Sequence, residues 1–265
     1  MKRFFFYCRL YVLLVSQYVK TRMQYRFDFV ISTIGMLFYQ GTGIASMWIL
    51  MSNMPLLSGW KFAELMFIYS FSLLAQTPLQ ICFEHIWVLR RHVNQGTFIK
   101  YYFKPINSLF YYLSEMVDLK GFGQVLLAVT IFVWSSNEIG IVWTPSRIIL
   151  FPILLAGSST VIASLLLMAA SSAFWIKDSY SIISFINSFR EQSKYPMNIY
   201  NALFKFVFTW VLPIGFFAFY PAQIYLRPAP IPWTAFLSPL VGIALFTLAV
   251  RIWEKGLTVW SGTGS

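Results

Sequence analysis

Residues able to do acid–base, metal or nucleophilic chemistry are few in this chain: nine carboxylates, two histidines and two cysteines among 265 residues. Glu115, Asp118 and Lys120 form the densest set. On a helix Glu115 and Asp118 share a face, which fits a proton- or ion-coupled pathway. Lys120 lies about 200° from Asp118 and cannot neutralise it within that helix, so partners must come from another segment or from water. The competing reading is an entry helix whose charges meet headgroups or a neighbouring subunit. His85 and His92 stand seven apart beside Glu84, which places both imidazoles on one helical face. A catalytic metal takes three protein ligands in tight geometry, so the pair reads as polar residues at a helix end and no metal ligand is assigned. Cys8 and Cys82 are distant and lack CxxC or Cys/His spacing, which supports neither a disulfide framework nor a zinc site. The sequence holds no GxxxxGK[ST] loop, no GxGxxG after a strand, no HExxH and no GxSxG. No catalytic residue is assigned, and the chain has no familiar means of binding or hydrolysing nucleotide.

The elements that position these residues are set by composition. At 58% hydrophobic, 20% aromatic and 11% charged residues, with mean hydropathy +0.66, the chain is far from the roughly one-quarter charged content of soluble domains. The expectation is an all-α, polytopic membrane protein with about six transmembrane helices in a single domain, 1–265. The run from Phe27 to Met51 is about 37 Å long as a helix, enough to cross a hydrocarbon core of about 30 Å. A turn with Asn53, Pro55 and Gly59 leads to a second run, Phe62 to Leu89. The third crossing lies between about Leu109 and Trp134 or between Gly121 and Trp143, with an amphipathic entry that becomes membrane-spanning near Gly121 the favoured reading, and Ile148 to Trp175 is a fourth, rich in small residues suited to close helix packing in lipid. Hydropathy makes Ala202 to Tyr220, around Pro213, the fifth and Trp233 to Val250 the sixth, joined by a Pro-rich outer turn over 221–232. An alternative path sends a short polar helix over 178–195 across the membrane and folds 200–221 into a re-entrant hairpin.

Residues 1–26 read as an amphipathic interfacial helix: Lys2, Arg9, Ser16 and Lys20 fall in a narrow arc with apolar residues over the rest. In the six-span arrangement all of the 20 basic residues except Lys61, Arg147 and Arg227 lie on one side. The positive-inside rule then places both termini in the cytoplasm and accounts for the +11 net charge without nucleic acid as a partner.

The stretch 90–107 is too charged for lipid and combines Arg90, Arg91, Lys100 and Lys104 with Phe98, Tyr101, Tyr102 and Phe103. It reads either as an interfacial aromatic belt with snorkelling lysines or as a cytoplasmic helix offered to a soluble partner, since aromatics and Arg anchor interfaces. Residues Gly96-Thr97-Phe98-Ile99-Lys100-Tyr101-Tyr102-Phe103-Lys104-Pro105-Ile106-Asn107-Ser108-Leu109-Phe110 resemble the G-T-L-D-x-x-L-L-R-P-L-N-P-L-F stretch of ABC-2-type permeases of the compact six-span bacterial group. Tyr195-Pro196, Ile199-Tyr200, Pro213 and Phe219-Tyr220-Pro221-Ala222 are similar to that group's Y-P, I-Y, P and Y-Y-P-A series. Trp253-Glu254-Lys255-Gly256-Leu257 with Ser261 to Ser265 resembles its W-x-x-G-L ending. Tyr25-Arg26-Phe27-Asp28-Phe29 and Gly59-Trp60 extend the likeness over nearly the whole chain. It departs at Ile99, Ser108 and Trp260, where the family usually carries Asp, Pro and Tyr.

The resemblance implies an exporter membrane subunit in a bacterial plasma membrane, moving its substrate by alternating access. It implies pairing with a second permease, the same or homologous, and with two copies of an ABC ATPase that carry the ATP and Mg; this chain itself binds no cofactor. The 90–107 segment would be the coupling helix, with Arg90, Arg91, Gly96, Thr97, Phe98, Lys100, Tyr101, Lys104 and Pro105 at the ATPase. Glu115, Asp118 and Lys120 would be pathway or interface charges, and Pro213, Tyr220 and Pro221 would belong to the outer gate. The rival is an ion-coupled secondary transporter using Glu115 and Asp118, although internal repeats of the kind such proteins carry are not evident.

Overall fold

The computed structural model describes residues 2–24, 26–54, 56–228 and 230–260. Among them all regular structure is helical: α1 (Lys2–Gln24), α2 (Arg26–Asn53), α3 (Phe62–Cys82), α4 (Leu89–Asn94), α5 (Ile99–Tyr102), α6 (Ser108–Ser114), α7 (Gly121–Ile139), α8 (Pro145–Ser171), α9 (Tyr180–Gln192), α10 (Ala202–Phe206), α11 (Phe219–Leu226) and α12 (Ser238–Val259). Four helices are long and apolar enough to span a bilayer: α2 from Phe27, α3, α7, and α8 with its extension to Phe174. The third crossing starts at Gly121, where the sequence places it. The second ends earlier than Leu89: the chain bends at Phe83 and continues as a short 3₁₀ turn, Glu84–Val88. Pro145 at the first turn of α8 and the Thr144 hydroxyl, which accepts from Arg147 N at 3.4 Å, start that helix where the sequence supplies both signals.

The helices pack through α3 with α7 and, most extensively, α8 with α12. The latter pair runs parallel, since Gly157 faces Pro239 while Phe174 faces Gly256. A Cβ at Gly157 would stand 2.5 Å from Pro239 N, so the two backbones touch as small residues allow in membrane bundles. A buried polar network fastens α2, α3 and α7. Gln40 Nε2 donates to Gln124 Oε1 at 3.2 Å, Tyr69 Oη donates to Gln40 Oε1 at 3.0 Å, and Gln124 Nε2 donates to the Leu73 carbonyl at 2.9 Å.

Two parallel neighbours require the chain to travel the length of the molecule between α8 and α12, and the structure shows which segment does so. Residues 177 and 178 lie at the end that carries Arg90 and Asn94, both of which donate to the Lys177 carbonyl. Asn198 lies at the other end, where its side chain accepts from Trp60 Nε1 at 2.8 Å and donates to the Ser58 carbonyl at 3.2 Å. The connection is α9, whose 13 residues cover roughly 20 Å. The stretch Ala202 to Tyr220 is not the single helix that hydropathy favours and follows the alternative, re-entrant path. It is α10, a π-helical turn (Val207–Val211), a break at Leu212 and Pro213, and the first residues of α11. Its tip reaches Ser158, whose hydroxyl donates to the Phe216 carbonyl, and its return limb climbs back so that Tyr225 Oη donates to the Arg147 carbonyl. Arg147 and Ser158 are about 16 Å apart along α8, so the hairpin dips that far and returns to its starting end. Pro213 ends the descending limb because it lacks the N–H a helix needs. The Pro-rich outer turn also contracts: 221–226 is helical, with Pro221 in the first turn of α11 where its missing N–H costs nothing, and only 227–232 joins α11 to the turn before α12.

Candidate functional site

The basic end is built on an aromatic block. Gly96, at φ 69°, turns the chain between α4 and α5, and this left-handed position lets Phe98 N donate back to the His92 carbonyl. Phe98 and Tyr101 thereby point inward and are both 0% exposed. The Phe98 ring lies 5.2 Å from Phe174, 5.2 Å from Trp260 and 5.8 Å from Trp253. The block therefore joins α5 to the ends of α8 and α12. Trp253 Nε1 also donates to Ser108 Oγ at 3.3 Å, which ties α12 to the start of α6. Asn107 caps α6 by accepting from Phe110 N at 2.9 Å, so the Pro105–Phe110 stretch is a helix start.

The two histidines belong to this block. His85 stacks on Tyr112 at 4.2 Å and 3°, and its Nδ1 is 2.7 Å from the Tyr112 carbonyl; Tyr112 Oη donates to the His85 carbonyl at 2.7 Å. His92 lies edge-on to His85 at 5.3 Å, and its Nδ1 is 2.9 Å from Thr97 Oγ1. Burial lowers the pKa of His85, and burial with the neighbouring His85 brings His92 down to about 4. Burial thus favours the neutral form of both rings. Among the described residues no three His, Cys, Asp or Glu side chains converge on a metal position.

The charges of the basic end divide by partner. Arg90 is tied to the chain itself, 3.3 Å from Asp178 and donating to the Lys177 carbonyl at 2.9 Å. Lys100 pairs with Glu115 at 2.8 Å, and Tyr101 Oη donates to the same carboxylate. Burial acts to raise Glu115, but the hydrogen bonds from Lys100 and Tyr101 outweigh it and hold the carboxyl below its ordinary value. Asp118 lies 3.4 Å from Lys120 Nζ and accepts from Lys120 N at 3.0 Å. That pairing corrects the helical-wheel argument: α6 ends at Ser114 and α7 begins at Gly121, so residues 115–120 are not one helix and the 200° separation does not apply. Glu84, passed over as a mere neighbour of His85, faces Asp118, Lys120 and Arg190; burial, then the Asp118 charge, pushes it up to about 7. Its position inside an apolar run was the available signal.

The outward surface of α4 and α5 carries what remains. Arg91, Thr97, Lys104 and Pro105 are exposed, as are Ile99 (44%), Tyr102 (47%) and Phe103 (76%). Of the nine residues expected at a partner interface, Phe98 and Tyr101 are thus interior anchors, Gly96 is a turn, and Arg90 and Lys100 hold internal ion pairs. Ile99, Tyr102 and Phe103 are the outward apolar residues that the sequence left unassigned.

Along α1, Tyr7 and Tyr11 pack on Phe110, with ring centroids at 4.8 and 6.4 Å, and Tyr11 Oη lies 3.5 Å from Cys82 Sγ. Arg9 and Lys20 are exposed together with Phe5, Phe6, Val12 and Leu13. The opposite end holds the expected gate residues. Pro213, Tyr220 and Pro221 are buried inside the hairpin; Tyr220 Oη and Thr209 Oγ1 are 2.6 Å apart, and the ring lies against Gly215. Between the two limbs and Trp60 lies a cavity of about 640 Å³.

The closing motif residues Ser261 to Ser265, together with Tyr25, lie outside the described residues. No curated protein and no solved structure matches the chain. The sequence pattern described as ABC-2 family transporter protein matches residues 37–264, from the middle of α2 through the closing motif. The chain is therefore a membrane component of the ABC-2 transporter family.

Proposed function

We propose that this chain is the permease half of an exporter driven by ATP hydrolysis on a separate ATPase, which docks on α4 and α5. The observation that carries the reading is the two-sided build of that segment: Phe98 and Tyr101 are locked in the interior while Arg91, Ile99, Tyr102, Phe103 and Lys104 face out. A surface with aromatic bulk and cationic charge suits a protein interface, and a rigid root lets movement of that surface reach α6, α8 and α12 together. Six crossings (α2, α3, α7, α8, α9 and α12) bring both termini to the basic end. Lys194 and Lys205 fall on the opposite end and Arg190 within α9, yet the excess of basic residues keeps its sign, which supports a cytoplasmic basic end. Two permeases, the same or homologous, and two ATPase copies in a bacterial plasma membrane complete the assembly, with the hairpin at Pro213, Tyr220 and Pro221 as the outer closure. Glu115 and Asp118 are each paired with a lysine at the basic end, which argues against a coupling-ion path through them.

The test is co-purification from the native host under mild solubilisation. An ABC ATPase is expected with the wild-type chain and is expected to be lost with Arg91→Glu plus Lys104→Glu, neither of which breaks an ion pair among the described residues. Absence of any ATPase from the wild-type preparation would sink the reading.

A further inference from the structure

The cavity inside the hairpin has a chemistry of its own. Lys205 and Arg227 line it from opposite limbs, and no carboxylate joins them in the lining. None of the ion pairs among the described residues uses either side chain, and the hydrogen bonds they make there are through the backbone. Arg227 is nonetheless held in place: its guanidinium lies 3.7 Å over the Trp60 ring, and Trp60, 1% exposed, is itself fixed by its bond to Asn198. An arginine stacked in this way keeps its in-plane N–H donors free to form a fork around an oxyanion. The Thr209 and Tyr220 hydroxyls lie deeper in the same cavity.

The side wall has the opposite character. Phe206 and Trp210, which also line the cavity, are 57% and 56% exposed, and Trp233, 6.5 Å from Trp210, is 65% exposed. In a membrane protein such a surface meets acyl chains or another apolar body. At about 640 Å³ the space falls within the range of about 300–1,000 Å³ typical of small-molecule sites. A snorkelling lysine would explain Lys205 alone; it does not explain an arginine fixed over tryptophan across the same cavity.

We infer that this cavity binds an anionic amphiphile, its phosphate-type head between Lys205 and Arg227 and its apolar part along Phe206 and Trp210. The inference takes only the outward orientation of this end from the permease reading, and its test contains neither nucleotide nor a second subunit, so the two fail separately. The purified full-length chain in neutral detergent is titrated with dioctanoyl phosphatidic acid, dioctanoyl phosphatidylcholine and inorganic phosphate, and binding is followed by calorimetry. The phosphatidic acid is expected to bind at least about tenfold more tightly than either of the others, and about tenfold more weakly to Lys205→Glu and to Arg227→Gln. Lys205 is exposed and has no protein partner for its ammonium among the described residues, so Lys205→Glu reports on binding even where Arg227→Gln loosens the fold. Equal binding of the two lipids, or wild-type affinity in Lys205→Glu, overturns the proposal. Inorganic phosphate binding as tightly as the lipid overturns its amphiphile half and leaves a free-anion site.

Discussion

At the scale of single residues, the side chains with titratable groups hold the basic end together, and their behaviour is open to measurement. Glu84 is the clearest case. Its pKa of about 7 lies above its ordinary 4.5, so the folded chain keeps a proton that the unfolded chain releases. The stabilising effect is complete below pH 4.5, is lost as pH rises, and levels off above 7. Glu84→Gln removes that loss. The variant is expected to be more stable than wild type at pH 8, on the order of 2 kcal/mol or less given partial exposure, with the gap closing below pH 4.5 in thermal unfolding. A gap that widens toward acid would refute the assignment. Phe98 and Phe103 make a second contrast. Phe98→Ala is expected to cost roughly 3–5 kcal/mol through the lost ring contacts, whereas Phe103→Ala, on a side chain 76% exposed, is expected to stay within about 0.5 kcal/mol while weakening ATPase recovery. Equal stability losses would mean that the two-sided description of α5 is wrong. The sequence marked Phe98 and Phe103 alike as aromatic residues in a basic segment. Which one turns inward depends on the left-handed turn at Gly96, and a composition argument does not resolve it.

At the scale of elements, the long apolar helices were legible directly, and the polar and broken ones only as the alternative path over 178–195 and 200–221. α2, α7 and α8 lie where uninterrupted apolar runs place them, because a run of that length has no other way to satisfy its backbone in lipid. Hydropathy favours 202–220 over the alternative path for a physical reason: it averages over those residues and registers neither the π turn nor the break at Pro213, while α9 carries Asp178, Arg190 and Glu191 at or near its ends and scores poorly. The Arg190–Glu191 pair at 2.6 Å, with the Arg190 side chain 11% exposed, is how a polar helix is accommodated there, since paired charges cost less than isolated ones. The close approach of α8 and α12 gives this scale its own prediction. Gly157→Leu is expected to prevent folding, because any Cβ there meets the backbone of Pro239. Gly35→Ala on α2, with open space where its Cβ would go, is expected to be neutral in expression and melting temperature. A well-folded Gly157→Leu protein would show that the contact between the two backbones is not required.

At the scale of the whole molecule, the basic end, where the proposed partner docks, stands opposite an end formed by a re-entrant hairpin and its cavity, with α9 linking them. Topology tests the arrangement: in a chain with Cys8 and Cys82 replaced by serine, a membrane-impermeant maleimide added to spheroplasts is expected to label Lys194→Cys and to leave Lys177→Cys unlabelled. Labelling of both, or of neither while each reacts after lysis, would return the fifth crossing to 202–220. Docking of an ATP-hydrolysing subunit on α4 and α5 is open to a photocrosslinking amino acid placed at Phe103 and, separately, at Trp233 in living cells. The probe at Phe103 is expected to join the chain to an ABC ATPase, and the probe at Trp233 is not. An ATPase captured from Trp233, or none from Phe103 while the protein is folded in the membrane, would contradict that docking.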